Sequence, residues 1–359
     1  MTVMLGALFI PLLLGASISN LSLVGRTAAP WEGHTAQFVT AVHLPLPPQT
    51  VHGLAVLGDT VAWSSESSGP FYTLFSASLR TRQARVVARG TAAEPTIGDT
   101  LLSPHWLVWL ELEPLHLAWR IIALDRRTQQ RVTVDGSARE RGLPDSRYLA
   151  PMLSLDGDTL VYSFSTTQQG QPHTAIYAQT LPHGPRRLLA ESVISTCVLR
   201  WPTVSGQTAA WEQVGGCSGG GAGSDIVVAD LSRGRPYLLT TDHQSSQPVT
   251  NGQLVAYKGQ ASQERAGSII VVDRRTNQRH VIDGSGNANF PELTDHLVAG
   301  RPMAHRSKLT TYARTNTMSS RKRSTHRRAI STLNHPGNAG AMRSCSTRPR
   351  GMDIACNSS

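Results

Sequence analysis

Short apolar runs, separated by clusters of Gly, Asp, Asn and Pro, follow one another along most of this sequence. One pattern recurs in them: a turn with Gly or Asp, two or three apolar residues, and then an aromatic residue, as in 57–63 and 156–162. The aromatic positions of the five copies are spaced by 46, 53, 49 and 46 residues and are Trp63, Trp109, Tyr162, Trp211 and Tyr257. A period of this length is typical of repeated small β-sheets.

A second pattern follows each aromatic residue: an apolar run, usually an Asp, a polar turn and another apolar run, as in 121–132 and 269–279. In two copies Ser78 and Thr180 take the place of the Asp. Each unit therefore predicts four short strands joined by two tight turns and one longer loop. Because runs such as 269–272 are apolar on both faces, we expect the sheets to stack, with the aromatic residues filling the space between them.

These features resemble the TolB-type six-bladed β-propellers, and the resemblance covers about residues 50–300. It implies an all-β fold, a β-propeller of about five to six four-stranded blades in which the five aromatics are structural. The Trp-Asp dipeptide of WD-type propellers is missing from the copies.

A sixth copy begins at 291–299, but Gly300 stands where its aromatic residue is expected. We therefore predict that the last blade is incomplete, and that residues 36–43 supply a strand that would close the propeller against it. Residues 301–359 hold 12 of the 34 Lys+Arg and one acid, a net +11, whereas residues 1–300 sum to −1. The segment 301–359 is predicted to be a disordered basic tail, which arose through a frameshift near residue 300 or is a natural tail.

The first 25 residues carry no charged side chain, and a 12-residue apolar run at 3–14 precedes several small residues. This pattern predicts a signal peptide over residues 1–30, either cleaved or retained as an N-terminal membrane anchor, although its basic start is missing. The predicted organisation is thus 1–30 for export, 31–300 for the β-propeller and 301–359 for the tail. The predicted location is extracytoplasmic, secreted or anchored at the outer face of the membrane.

The four cysteines are spaced without a C-x-x-C pair, which argues against a zinc site. In an exported protein Cys197 and Cys217 could form a disulfide across adjacent strands, and two free thiols are the alternative.

The segment 216–220 matches G-x-S-x-G around Ser218. A nucleophile elbow needs a helix after the serine, and the glycines at 219–223 instead predict a hairpin loop. The histidines stand singly, without H-x-H or H-E-x-x-H spacing. We therefore expect no catalytic, metal or cofactor site, and the 59 residues after Gly300 leave no room for the hydrolase domain of a prolyl oligopeptidase.

By its resemblance the chain is expected to be a non-enzymatic, monomeric scaffold that binds a protein or glycan partner through its loops and channel mouth. Nucleic acid is not expected to bind the folded part, because the basic residues are confined to 301–359 and lack interleaved aromatics. The alternative is a propeller-type lyase or glycan hydrolase, with His and carboxylate side chains converging on the channel.

Overall fold

A computed structural model of the chain describes residues 17–26, 38–66, 71–92, 96–113, 118–137, 150–217, 223–233, 235–262, 265–283, 288–293, 297–302, 310–313, 344–345 and 356–357. The chain divides into two compact units, Met1–Thr315 and Asn316–Ser359. In the second unit the described residues form an antiparallel pair, Ser344–Cys345 with Cys356–Asn357.

The first unit consists of successive antiparallel sheets, here called blades one to six. Blade one contains β1 (Ser17–Arg26), β2 (Phe38–Leu57), β3 (Thr60–Glu66), β4 (Tyr72–Ser78) and β5 (Ala84–Arg89). Blade two contains β6 (Thr96–Leu102), β7 (Trp106–Leu112), β8 (Trp119–Asp125) and β9 (Arg131–Ser137). Blade three contains β10 (Met152–Asp156), β11 (Thr159–Gln168), β12 (Gln171–Thr180) and β13 (Arg187–Val193).

Blade four contains β14 (Cys197–Ser205), β15 (Thr208–Gly215), β16 (Ser224–Asp230) and β17 (Pro236–Leu238). Blade five contains β18 (Ser246–Thr250), β19 (Leu254–Ser262), β20 (Arg265–Asp273) and β21 (Gln278–Asp283). Blade six contains β22 (Ala288–Leu293), β23 (Leu297–Pro302) and β24 (Thr310–Ala313). In every blade each strand pairs with the next along the chain, so the predicted succession of four strands is confirmed in blades one to five.

The blades stack face to face, and their hydrophobic cores lie between neighbouring sheets. The whole of β7 is buried, which explains why its sequence lacks the polar alternation of a half-exposed strand. The fourth strands are more exposed, and all three residues of β17 face solvent. In blade one β2, and in blades two to six the first strand, lies beside its counterpart in the next blade, so we call these the inner strands.

The five repeated aromatic residues occupy these interfaces and are at most 1% exposed. Trp109 of blade two packs with Ala62 and Leu74 of blade one. Trp211 of blade four likewise packs with Val161 and Ile176 of blade three. Tyr162 and Tyr257 also belong to clusters shared with the preceding blade, while Trp63 stacks on Phe75 within blade one, with ring centroids 5.3 Å apart.

The Asp at the end of the third strand closes the following turn. Asp125 accepts hydrogen bonds from the backbone N–H groups of Arg127 and Thr128 at 2.7 and 2.9 Å. The bond from Thr128 is the main reason why the pKa of Asp125 is lowered. Ser78 makes the same pair of bonds in blade one, to the backbone N–H groups of residues 80 and 81. Hydroxyl and carboxylate are therefore interchangeable at this place, as the looser sequence pattern suggested.

Asp156 and Asp158, at the turn between β10 and β11, bind neighbouring blades. Asp156 accepts the backbone N–H of Gly206 of blade four at 2.6 Å. Asp158 accepts the indole N–H of Trp106 of blade two at 2.9 Å.

Three segments differ from the sequence-based expectations or lie beyond them. Residues 38–45 pair with β1 in blade one rather than with blade six, because β2 is long enough to pair with β1 along its first half and with β3 along its second. Residues 17–26 of the predicted export segment form β1, and residues 1–16 lie outside the described part. Beyond Gly300, β24 adds a third strand to blade six. Among the described residues no helix is long and apolar enough to cross a membrane.

Candidate functional site

The inner strands carry a bulge at the same place in five blades. In blades four, five and six the ladder to the second strand skips two residues, and these are Trp201–Pro202, Gln247–Pro248 and Phe290–Pro291. Blade two skips Gly98 and Asp99, and blade one skips Gly53. In a stacked blade the side chains of a strand face the neighbouring sheets, and a bulge can re-aim one of them. Here the bulge takes these residues out of the regular pairing with the second strand.

The bulge residues of five blades are equivalent along the repeat to one another and to Met152 of blade three, which pairs regularly with Ser163. Each stands ten residues before the blade aromatic, or before Gly300 in blade six. We call these six the channel residues, from blade one to blade six: Gly53, Asp99, Met152, Trp201, Gln247 and Phe290. They differ in chemistry from one blade to the next, whereas the aromatic ten residues later is conserved in type through blade five.

Three consecutive channel residues have a left-handed backbone. Their φ angles are 53° at Trp201, 54° at Gln247 and 48° at Phe290. Non-glycine residues adopt this region rarely, and bulky aromatic residues more rarely still, because the Cβ crowds the backbone. Such strain persists only where the surrounding structure enforces it, and it concentrates at functional sites.

The preceding blade enforces this conformation by capturing each backbone N–H that the bulge removes from the ladder. The N–H of Trp201 contacts Met152 Sδ at 3.4 Å, and the N–H of Gln247 donates to Glu212 Oε2 at 3.0 Å. The N–H of Phe290 donates to Gln247 Oε1 at 2.9 Å. Blades three to six are thus linked in sequence, and a backbone donor is satisfied at every step.

Glu212 anchors this series of bonds. Its side chain is 0% exposed, and its Oε1 accepts from Arg200 Nη2 at 2.9 Å and from Arg200 Nε at 3.3 Å. The other oxygen holds Gln247, so both carboxylate oxygens are used. Arg200 is adjacent to Trp201, and its charge is balanced by Glu212 before any ligand arrives.

Two of the channel residues expose aromatic rings. Trp201 of blade four is 37% exposed and Phe290 of blade six is 40% exposed. Their ring centroids lie 6.3 Å apart with an interplanar angle of 67°, although Gln247 of blade five comes between them in the repeat. The two rings are therefore in edge contact, and both remain partly exposed to solvent.

Asp99 supplies the ionisable group of this set. Its side chain is exposed to solvent. Desolvation raises the pKa of Asp99 from 3.8 to about 6, and a hydrogen bond from the backbone of Leu153 in the next blade opposes that rise. In the part of the chain that the structure describes, no Arg, Lys or His forms an ion pair with Asp99.

Gly53 is required by the closeness of blades one and two at this level. A Cβ at this position would lie 3.1 Å from both the carbonyl oxygen of Gly98 and the backbone nitrogen of Thr100. Blade one therefore contributes backbone rather than a side chain beside Asp99.

The candidates named from the sequence lie elsewhere. Cys197 and Cys217 form a disulfide, with Cα atoms 4.9 Å apart. Ser218 lies outside the described residues. His105 and His243 each stand 2.8 Å from a single carboxylate, Asp158 and Asp225 respectively. Within the described ranges no group of three or more His, Cys, Asp or Glu side chains could hold a metal ion.

Sequence reasoning missed the channel residues because it searched for what the repeats share. The signal that was available is the X-Pro dipeptide nine to ten residues before the aromatic position, at residues 201–202, 247–248 and 290–291. Proline has no N–H to give to a ladder, so a recurring proline inside a strand marks a bulge or an edge.

The sequence matches no protein-family model and no curated protein. Solved structures do match. One is the β-propeller domain of the Trilobed protease from Pyrococcus furiosus, described as having an open velcro topology, with a TM-score of 0.55, 10% identity, and coverage of 83% of this chain and 93% of that one. An oligogalacturonate lyase in complex with manganese matches with a TM-score of 0.51 and 14% identity, over 75% of this chain and 78% of the lyase.

A prolyl endopeptidase matches with a TM-score of 0.54 and 11% identity over 71% of this chain, which spans 39% of that enzyme. TolB structures are also among the neighbours, and the one from Agrobacterium tumefaciens has a TM-score of 0.40 and 19% identity, over 62% of this chain and 74% of that one. Identities this low show fold alone, and the neighbours include enzymes as well as TolB. Together with the four-stranded antiparallel sheets, the neighbours with TM-scores above 0.5 confirm the predicted all-β propeller fold.

Proposed function

We propose that the chain is an extracytoplasmic binding scaffold whose ligand or protein partner docks at the channel residues. The observation that carries the proposal is the conformation of Trp201, Gln247 and Phe290. Three consecutive blades hold non-glycine residues at positive φ, and two of these residues expose aromatic rings. A strained backbone with solvent-exposed aromatic residues lowers the stability of the fold, so its presence favours a role other than folding. Aromatic residues also contribute most of the binding energy at many binding surfaces.

The composition of the channel residues favours binding over catalysis. They include one ionisable side chain, Asp99, beside two aromatics, an amide, a thioether and a glycine. The alternative prediction, a lyase or glycan hydrolase, requires several carboxylate or imidazole groups to converge. The match to an oligogalacturonate lyase supports that alternative at the level of fold alone.

The disulfide supports the proposed location. Bonds such as Cys197–Cys217 form and persist in oxidising compartments and are rare in the cytosol. The uncharged, apolar residues 3–14 are consistent with export, so the two features agree.

Site-specific photo-crosslinking in cells tests the proposal. A photo-reactive amino acid replaces Trp201 in one variant and Gln207 in the other; Gln207 is an exposed residue at the turn of the same blade. We expect crosslinked partners at position 201 and not at position 207. Equal crosslinking at the two positions, or crosslinking at 207 alone, would show that the channel residues are not the binding site.

A further inference from the structure

We propose that the outer rim of the propeller docks the protein onto a membrane that contains anionic lipids. In each of blades one to five, this basic rim consists of the turn between the third and fourth strands and of the fourth strand itself. Its segments are 78–89, 125–137, 180–193, 230–238 and 273–283. The rim is separate from the channel residues, which lie on the inner strands, and would bind a partner of its own.

The rim is basic in every one of these blades. Its five segments hold 14 Arg and six Asp or Glu, a net +8, whereas the rest of residues 1–300 sums to −9. The near-neutral total of residues 1–300 therefore averages two regions of opposite sign. A surface that carries charge of one sign attracts anions more strongly than the net charge of the chain indicates.

Most of the rim arginines are available to a partner. Twelve of the fourteen are exposed, and the other two, Arg126 and Arg274, donate hydrogen bonds to the preceding blade. In the part of the chain that the structure describes, no ion pair or hydrogen bond engages the side chain of Arg85, Arg187 or Arg235. These three charges, from blades one, three and four, are not neutralised within the fold.

Hydrogen bonds hold the rim turns at one end of the blades. In each of the five blades the residue after the third strand donates its backbone N–H, at 2.6 to 3.0 Å, to a carbonyl of the turn between the inner and second strands. These inner turns are bonded from blade to blade, as Asp156 of blade three is to Gly206 of blade four. The arginine-bearing turns of successive blades therefore lie side by side at the same end.

An exposed aliphatic side chain accompanies the arginines in four of the blades. Val86, Leu188, Leu238 and Val281 are 39 to 50% exposed, and an arginine stands one to three residues before each of them. They share one register position, because each pairs with the third-strand residue that pairs with the blade aromatic. Five of the seven large hydrophobic side chains exposed within the described residues lie on fourth strands.

The combination of positive charge and apolar side chains favours a lipid surface over a hydrophilic polyanion. Anionic headgroups attract basic side chains, and neighbouring apolar side chains gain free energy at the boundary between headgroups and acyl chains. A nucleic acid or an acidic polysaccharide would contact the arginines, but it would offer the aliphatic side chains no comparable apolar environment. Arginines spread over five blades also exceed what one small anion can contact.

Vesicle co-sedimentation of the full-length protein tests the inference. The vesicles consist of phosphatidylcholine, either alone or with about 30 mol% phosphatidylglycerol, and we expect binding to the mixed vesicles only. Raising the NaCl concentration from about 50 mM to about 500 mM should weaken that binding, because salt screens exposed charges. Equal binding to both kinds of vesicle, or binding to neither, would overturn the inference without recourse to any variant.

A triple variant locates the charge that binds. Arg85→Gln, Arg187→Gln and Arg235→Gln together should lower the partition coefficient on the mixed vesicles by about tenfold. The matched control, Arg321→Gln, Lys322→Gln and Arg323→Gln, removes the same charge from the basic segment after Gly300 and should have a smaller effect. A control that loses as much binding as the rim variant would show that the rim is not the docking surface.

A second variant separates lipid from a polyanion. Leu188→Ser with Val281→Ser keeps every charge and changes only exposed side chains, so it should lower vesicle binding by about threefold. The same protein should bind polygalacturonate, an acidic polysaccharide, no differently from the wild type. Vesicle binding that the serine substitutions leave unchanged, with tight binding of polygalacturonate by the wild type, would assign the rim to a polysaccharide and overturn the inference.

Discussion

At the scale of single residues, the aromatic side chains of this protein fall into two groups with different environments. The blade aromatics are chosen for volume and burial, whereas Trp201 and Phe290 are held in a backbone conformation that does not suit them and are exposed to solvent. Substituting such a residue with one that suits the local backbone should therefore raise the free energy of unfolding.

Trp201 offers a direct test of that strain. Both Trp201→Ala and Trp201→Gly remove the ring, but only glycine adopts a φ of 53° without a steric penalty. We expect Trp201→Gly to have a free energy of unfolding about 1 kcal/mol higher than Trp201→Ala, as measured by urea denaturation. At an ordinary strand position the order is reversed, because glycine weakens a strand, so a less stable glycine variant would refute the strain.

Asp99 gives a pH-dependent test. Its pKa is raised in the folded state from 3.8 to about 6, so the folded state binds the proton more readily than the unfolded chain does. The corresponding stability is present below about pH 4 and is lost as the pH rises through about 6. Asp99→Asn does not titrate, so it should gain stability relative to the wild type between pH 4 and pH 7.

Urea denaturation of the two proteins at pH 4, 5, 6 and 7 measures this difference. A stability difference that stays constant across that range would contradict the raised pKa.

The sequence predicted the residues that repeat and missed the residues that vary. Trp63 to Tyr257 were recognisable because burial between blades demands a large apolar side chain at a fixed period. Position 99, 201 or 290 has no shared chemistry, and its importance comes from a bulge, which is a property of strand pairing. The proline within the bulge of blades four, five and six was visible in the sequence, but its meaning depends on knowing that the strand is an inner strand.

At the scale of elements, two turns bind the preceding blade through an arginine that follows the turn Asp. Arg126 donates to Thr60 Oγ1 of blade one at 2.8 Å and to the carbonyl oxygen of Ser103 at 2.7 Å. Arg274 repeats the arrangement between blades five and four, through Thr208 Oγ1 and the carbonyl oxygen of Gly252. In the blades where Leu181 and Leu231 take the arginine position, the side chain is buried in the core instead.

Arg126→Ala should therefore destabilise the protein by about 1 to 2 kcal/mol, because it leaves carbonyl and hydroxyl groups at a blade interface without their charged donor. The control is Arg127→Ala, the next residue along the same turn, which is exposed and should change stability by less than about 0.5 kcal/mol. Chemical denaturation of both variants is the measurement, and equal effects would show that the interblade bonds contribute nothing specific.

Glu212 stabilises the bulge of blade five by accepting the Gln247 N–H. Glu212→Ala should cost about 2 to 3 kcal/mol in the free energy of unfolding, since it leaves both the Arg200 guanidinium and the Gln247 N–H without their acceptor. Glu212→Gln retains an oxygen for Gln247 and should cost less. Thermal and urea unfolding rank the two variants, and a Gln variant as unstable as the Ala variant would argue against the bond to Gln247.

At the scale of the whole molecule, the disulfide closes a segment that includes the inner and second strands of blade four. Cys197 and Cys217 are separated by 20 residues, and reducing the bond restores the freedom of that loop in the unfolded chain. We expect a reducing agent to lower the free energy of unfolding by about 3 kcal/mol. A double Cys197→Ser, Cys217→Ser variant should show the same loss and no further response to the reductant.

The organisation of the blades was predictable from the sequence, and the pairing at their boundaries was not. Each blade pairs strands that are adjacent in the chain, so local patterns were sufficient. The segment 36–43 was expected beside the last blade, a contact across most of the chain length, and the structure pairs its described residues, 38–43, with β1 instead. The apolar pattern of a strand predicts which of its faces is buried. It does not predict the partner strand, because any sheet edge with unpaired backbone groups can pair with it.

The arginine–threonine links have a consequence for how such a chain can be rearranged during evolution. A blade that carries the arginine forms its interblade hydrogen bond only when the preceding blade carries the threonine. Blade two follows blade one in this way, and blade five follows blade four. Recombination that exchanged blades two and five would preserve both links, whereas moving either one to the first position would break its link. The order of the blades therefore depends on pairs of polar side chains at the turns, independently of the apolar residues that make each blade fold.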